Sequence, residues 1–193
     1  MKTIRSSIAF STCAALLAGC AHPARVSDSV KLKDEQGVIV YRMSCGPQVA
    51  WVEFYRSGQS SAGFFSGFNR AGALLCQEGV QTQRVKAGRY FIGKIGYTSW
   101  IYIAENEAMT FVVTPGKLNY IGHIGLPSSL KQERGRILVL ISDPVVRDKS
   151  AEAEGWLNAE QGSLRRYEFT KALAQAPAKV GEQRRAVDQG KTP

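Results

Sequence analysis

The chain has 193 residues, 44% hydrophobic and 21% charged, which is the make-up of one folded domain with appendages and excludes a wholly disordered protein. Lys and Arg number 25 against 16 Asp and Glu, a formal net charge of +9. Two histidines and four cysteines, widely scattered, offer no metal-ligand spacing, so no metal site is expected.

In chain order, Lys2 and Arg5 precede an apolar run from Ile8 to Leu17 broken only by Ser11 and Thr12, the layout of a secretory signal. The run is shorter than the roughly 20 residues that span a bilayer. It closes on Leu17-Ala18-Gly19-Cys20, which resembles the lipobox of bacterial lipoproteins. The plainer alternative is a secretory signal with an incidental cysteine at its cleavage site. The resemblance implies that residues 1–19 are a signal peptide, with Leu17, Ala18 and Gly19 recognised by the peptidase. Cys20 then carries a covalent N-terminal lipid, a diacylglycerol with acyl chains such as palmitate, and no other cofactor is expected. Ala21 after the lipidated cysteine implies, by the same resemblance, an outer-membrane address facing the periplasm.

Cleavage before Cys20 would leave 174 residues with 23 Lys and Arg against 16 acids, a net charge of +7. An exported, lipid-anchored domain of that sign meets the membrane surface and acidic murein, so nucleic acid is not an expected partner. Cys13 would leave with the signal and Cys20 would take the lipid, so Cys45 and Cys76 are predicted to form a disulfide, two separate buried thiols being the alternative. Polar residues 20–35, with Pro23, read as a tether.

Residues 36–142 carry strand signals: short β-branched and aromatic runs punctuated by Gly and Pro. The predicted strands are Gly37 to Arg42, Val49 to Ser57, Arg89 to Tyr97, Trp100 to Ala104, Met109 to Thr114, Lys117 to Ile124 and Arg136 to Ser142. Seven strands at this spacing predict an antiparallel β-sandwich, a mainly β fold with a C-terminal helical extension. Within Lys117 to Ile124, alternation puts Leu118, Tyr120, Gly122 and Ile124 on one face and Asn119, Ile121 and His123 on the other. Thr114-Pro115-Gly116-Lys117 fits a type II turn, closing either a hairpin or an arch between two sheets. Ser57 to Gly79 interleaves glycines with Phe64, Phe65 and Phe68 and reads as the most irregular stretch. Its rings either plug the open end of the core or form an exposed ligand-binding loop.

Residues 143–175 change to helical spacing, with helices predicted over Val145 to Ala159 and Ser163 to Ala174, packed on the sandwich. Residues 176–193, basic and poor in apolar side chains, predict a disordered tail.

Catalytic chemistry is thin. His22 adjoins the lipidation site, His123 falls in a strand, and Gly58-Gln59-Ser60-Ser61-Ala62-Gly63 misses the nucleophile-elbow spacing. Glu53, Glu78, Glu105 and Glu107 are scattered over strands and loops, and no catalytic residue or enzymatic activity is predicted, a hydrolase being a remote alternative. The segments Ala87-Gly88-Arg89-Tyr90-Phe91-Ile92 and Phe111-Val112-Val113-Thr114-Pro115-Gly116-Lys117-Leu118-Asn119-Tyr120-Ile121-Gly122 resemble an arrangement in uncharacterised proteobacterial lipoproteins, similar to transthyretin-like or carboxypeptidase-regulatory-like sandwiches. The resemblance implies a fold and transfers no catalytic residues. The expectation is a non-catalytic outer-membrane lipoprotein acting through an envelope protein partner. The alternative is a glycan- or lipid-binding module using Phe64, Phe65, Phe68 and Trp100, with murein or lipid as ligand.

Overall fold

The computed structural model describes residues 31–62, 66–96, 100–133 and 136–177 together with the backbone of 184–186; side chains of 133–139 are not described. Leu17, Ala18, Gly19 and Cys20, most of the tether, and Phe64 and Phe65 lie outside the described residues. In chain order the elements are β1 (Gln36–Cys45), β2 (Trp51–Arg56), a single helical turn α1 (Ser66–Asn69), β3 (Arg70–Leu75), β4 (Gln81–Lys86), β5 (Gly88–Gly96) and β6 (Trp100–Tyr102). There follow β7 (Thr110–Val113), β8 (Lys117–Leu126), β9 (Ser128–Glu133), β10 (Arg136–Ile141), β11 (Val145–Arg147), α2 (Ser150–Glu160), β12 (Glu168–Lys171) and β13 (Arg184–Ala186). No described helix is long and apolar enough to cross a membrane.

Two sheets make the expected β-sandwich. The first has the order β11-β8-β1-β4, with β12 also paired to β8; the second runs β3-β2-β5-β6, with β7 also paired to β5. Ile39, Tyr41 and Met43 of β1 and Ile121 and Ile124 of β8 bury against Val52 and Phe54 of β2, Ile92 and Ile95 of β5 and Phe111 of β7. Phe54 meets Tyr90 and Phe111 edge-on, each with ring centroids 5.5 Å apart. A third sheet, β13-β10-β9, is joined to the core through buried Ile141.

The sandwich is not wholly antiparallel. β1 and β8 run parallel, as do β12 and β8. Parallel neighbours need a long crossover, and here the crossover between β1 and β8 includes β4 and the entire second sheet. The chain returns through Thr114–Lys117, which is therefore the arch and not the hairpin, since β7 belongs to the second sheet and β8 to the first. Gly116 has the positive φ of +69° that the turn requires, and its N–H donates to the Gln36 carbonyl at 2.8 Å.

Strict alternation along β8 also fails, because the register against β1 slips between Tyr120 and Gly122. The extra residue is Ile121, and Gly122 takes φ +111°, a conformation open to glycine. The bulge changes the phase of the strand: Leu118 and Tyr120 bury away from the sandwich core, while Ile121 and Ile124 bury into it. Both faces of β8 are consequently apolar.

The face of the first sheet turned away from the sandwich is covered by α2 and the 3-10 turn Gly162–Arg166. Val38, Val40, Leu118 and Tyr120 pack there against Ala153, Leu157 and Leu164, a second core. The C-terminal segment differs from the two predicted helices. Val145–Arg147 is strand β11, because β-branched Val145 and Val146 extend along β8, and the helix begins only after Asp148, whose carboxylate accepts the Ser150 N–H at 2.9 Å. Glu168–Lys171, within the second predicted helix, is strand β12: β8 offers unpaired backbone groups there, and Phe169 stacks on Tyr120 with centroids 5.9 Å apart. Tertiary pairing has overridden a weak helical period.

Between Ser57 and Gly79, read as irregular, Arg70–Leu75 pairs with β2 as an edge strand. In the tail, Arg184–Ala186 pairs with β10, while the rest of 178–193 lies outside the described residues. The Cys45–Cys76 disulfide is formed, with Cα atoms 5.6 Å apart. It joins the end of β1 in the first sheet to the residue after β3 in the second, and so clips one sheet to the other.

Candidate functional site

The outward face of the second sheet carries what the core cannot. Alternation along β2 sends Val52 and Phe54 inward and leaves Trp51 and Glu53 on the other side. On β5, Lys94 lies opposite Glu53, and the register slips so that Phe54 lies opposite Ile92. The unpaired residue is Gly93, where a Cβ would come within 2.5 Å of the Ser61 Cβ, so glycine is what lets the loop after β2 lie on the sheet. On β6, Trp100 and Tyr102 face outward and Ile101 inward.

These positions converge on a buried carboxylate. Glu53 Oε1 accepts from Arg70 Nη1 at 3.0 Å, and Glu53 Oε2 accepts from the Tyr55 hydroxyl at 2.8 Å. Lys94 Nζ lies 3.6 Å from Oε2 and is itself buried. Burial, and then the adjacent Glu53 carboxylate, push the Tyr55 hydroxyl well above the ordinary range of a phenol. The Lys94 ammonium also sits 3.7 Å from the Trp100 ring centroid and 5.4 Å from that of Tyr102, a cation–π contact beneath both rings. Trp51 braces Trp100 edge-on, with centroids 5.4 Å apart.

Above this polar floor the aromatic rings are open. Trp100 is 42% exposed and Tyr102 46%. Since the buried lysine holds the inner side of the Trp100 ring, its exposure lies on the outer side. Beside Tyr102 a groove of about 500 Å³ runs between residues 59–62 and 103–107. Its wall is pinned where Ser61 Oγ donates to the Ile103 carbonyl at 3.0 Å and Gly58 N–H donates to Glu105 Oε2 at 2.8 Å.

Of the predicted site residues, Phe68 is exposed, so the reading of that ring as a core plug is corrected: the helical turn Ser66–Asn69 buries Ser66 and turns Phe68 to solvent. Phe64 and Phe65 lie outside the described residues. Trp100 is on the face, and Cys45 and Cys76 are bonded. Glu53, Lys94, Arg70, Tyr55 and Tyr102 are brought together only by the fold. Their signal is a lone acid in Trp51-Val52-Glu53-Phe54-Tyr55 and a lone base in Ile92-Gly93-Lys94-Ile95, each inside an otherwise apolar strand and therefore in need of a partner.

Both carboxylate oxygens of Glu53 are engaged, which suits it to organising Lys94 and the rings rather than to moving a proton. Among the described residues no three His, Cys, Asp or Glu side chains gather as metal ligands. The chemistry that this face offers is stacking, with a cation behind the rings and a polar groove beside them. Comparison with protein families, curated proteins and solved structures finds no match to this chain.

Proposed function

We propose that the protein is a non-catalytic binding module of the bacterial envelope, anchored by a lipid on Cys20 at the outer membrane and facing the periplasm, which takes a glycan on the outward face of the second sheet. The observation that carries the reading is the exposed pair Trp100 and Tyr102, two residues apart on one strand and so about 6.6 Å apart along it, backed by buried Lys94 and Trp51. Sugar rings present an apolar face to such rings and hydroxyls to the polar groups around them, and murein is the glycan that a periplasm-facing domain meets. The lipobox resemblance of Leu17-Ala18-Gly19-Cys20 supports the anchor.

The test is titration of the full chain with soluble murein fragments, read by tryptophan fluorescence and by calorimetry. Trp100→Ala is expected to weaken binding about three- to tenfold, the worth of one stacked ring, and Lys86→Gln, at an exposed site on β4 of the first sheet, to leave it unchanged. Equal affinity for the two variants removes the assignment of the face. For the anchor, Cys20→Ser should move the protein from the membrane to the soluble fraction, and unchanged fractionation removes the lipid.

A second reading, docking of an envelope protein by strand addition, is favoured by β9, which ends the third sheet and holds Leu130 51% exposed. Crosslinking that captures a stoichiometric partner through residues 128–132, and no murein, would select it.

A further inference from the structure

The first sheet carries its own polar site at the edge of the cover provided by α2. His123 of β8 lies opposite Arg42 of β1 on one side and opposite Arg147 of β11 on the other. Residues directly opposite on neighbouring strands project to the same face, so three basic side chains stand in a row across three strands. Ser44 Oγ and His123 Nε2 are 2.7 Å apart, which adds a hydroxyl to the row. A groove of about 380 Å³ opens beside it, lined by Ser44, Gly46, His123, Ser128, Val145 and Arg147.

The counter-charge of the row is a single carboxylate, Glu152, which acts on both Arg42 and His123 and is shared with Lys149. The charged groups acting on His123 are Arg42, Arg147 and Lys149, against Glu152 alone. Glu152 is engaged with Lys149 at 2.6 Å, and Asp148 with Lys171 at 3.2 Å. Among the described residues neither Arg42 nor Arg147 has a carboxylate within 4 Å. Like charges in adjacent register destabilise a sheet. The Arg147 guanidinium, the His123 imidazole and the Ser44 hydroxyl line the groove, and Arg42 stands next to His123 in register, a set that suits a small oxyanion bearing two charges.

We propose that Arg42, His123, Arg147 and Ser44 form a binding site for a phosphate group. The phosphate is that of a soluble phosphate compound or of an anionic lipid headgroup. The site lies on the first sheet and does not depend on the glycan face of the second. Burial, then Arg42 and Arg147, hold the His123 imidazole below its ordinary value, which favours the neutral ring at neutral pH. A bound phosphate supplies further negative charge and favours protonation.

The experiment follows the His123 imidazole by proton NMR in the full chain carrying Cys20→Ser, with His22→Gln identifying the only other histidine. Inorganic phosphate should shift the His123 resonance saturably and raise its titration midpoint. Sulfate, whose charge is constant through this range, should bind more tightly as pH falls through that midpoint. Arg42→Gln and Arg147→Gln should each weaken phosphate about tenfold. Lys86→Gln, which removes one positive charge at the opposite end of β1 from Arg42, opposite Gln36, should change it less than twofold. Arg147 sits on an exposed three-residue strand, and Arg147→Lys, which keeps the charge and loses the fork, should fall between wild type and Arg147→Gln. Vesicles of phosphatidylglycerol, against phosphatidylcholine, separate the sources: sedimentation with the anionic vesicles that is lost in Arg42→Gln identifies a headgroup, and binding of inorganic phosphate without it identifies a soluble compound. Absence of any His123 response to phosphate together with vesicle binding that ignores the arginines, or phosphate affinity equal in all variants, overturns the site.

Discussion

The two sheets of the sandwich share one core and treat their outer faces oppositely. The first sheet buries most of its outer face again: Val38, Val40, Leu118 and Tyr120 disappear beneath Ala153, Leu157 and Leu164. The second sheet leaves its outer face to a buried ion pair and open rings, with Glu53 and Lys94 below and Trp100 and Tyr102 above. Apolar cover stabilises without specifying a ligand. A buried ion pair contributes little net stability over an apolar pair of the same volume, yet fixes side-chain positions, and here it fixes the rings that solvent can reach. The difference teaches that the part of the first sheet beneath α2 is built for stability and the outer face of the second for contact.

The most severe way to test that contrast is Glu53→Ala, which strands the Lys94 ammonium in a buried site. We expect a loss of about 3–5 kcal/mol in urea unfolding. The sharper form replaces both partners, Glu53→Leu with Lys94→Met, and should recover most of that stability while Trp100 fluorescence changes. If the double variant is as unstable as the single one, the ion pair is a stability device and the contrast fails. Next in size is the clip between the sheets. Cys45→Ala with Cys76→Ala should cost about 3 to 4 kcal/mol by the loop-closure argument, read as a lower denaturation midpoint that added reductant no longer moves.

On the stable side, Leu157→Ala should cost about 2 to 4 kcal/mol, with Trp100 emission unaltered in the folded state when read in a Trp156→Phe background that removes the neighbouring fluorophore. A changed emission would mean that the two outer faces are coupled through the core. The smallest effect belongs to Asp148. Hydrogen bonds from Ser150, and then the Lys171 ammonium, hold its carboxyl at about 2 against an ordinary 3.8. Because the folded value is depressed, its contribution is complete above about pH 4 and is lost as pH falls through about 2. Circular dichroism should show α2 loosening over that window, and Asp148→Asn should flatten the dependence.

Much of the sandwich was legible because its strands announce themselves locally. Pro115 and Gly116 mark a turn, and runs such as Tyr90-Phe91-Ile92 and Phe111-Val112-Val113 have the composition of strands. What was not legible depends on partners far along the chain. Nothing around Ile121 predicts the bulge, which exists because β1 and β8 must present apolar residues to two cores at once. Glu168–Lys171 is a strand only because β8 has backbone groups there to satisfy. The site was half legible: Trp100 stands out as a ring at the start of a short strand, whereas the pairing of Glu53 with Lys94 needs the register between β2 and β5, which sequence does not print.

The disulfide also makes a covalent ring. Residues 45–76 enclose β2, α1, β3 and the segment bearing Phe68. A protease that cut this segment once would release no fragment: both pieces would remain one molecule, separating on a gel only after reduction. The exposed loop beside the rings can thus be nicked while edge strand β3 stays tethered to the sheet that it completes.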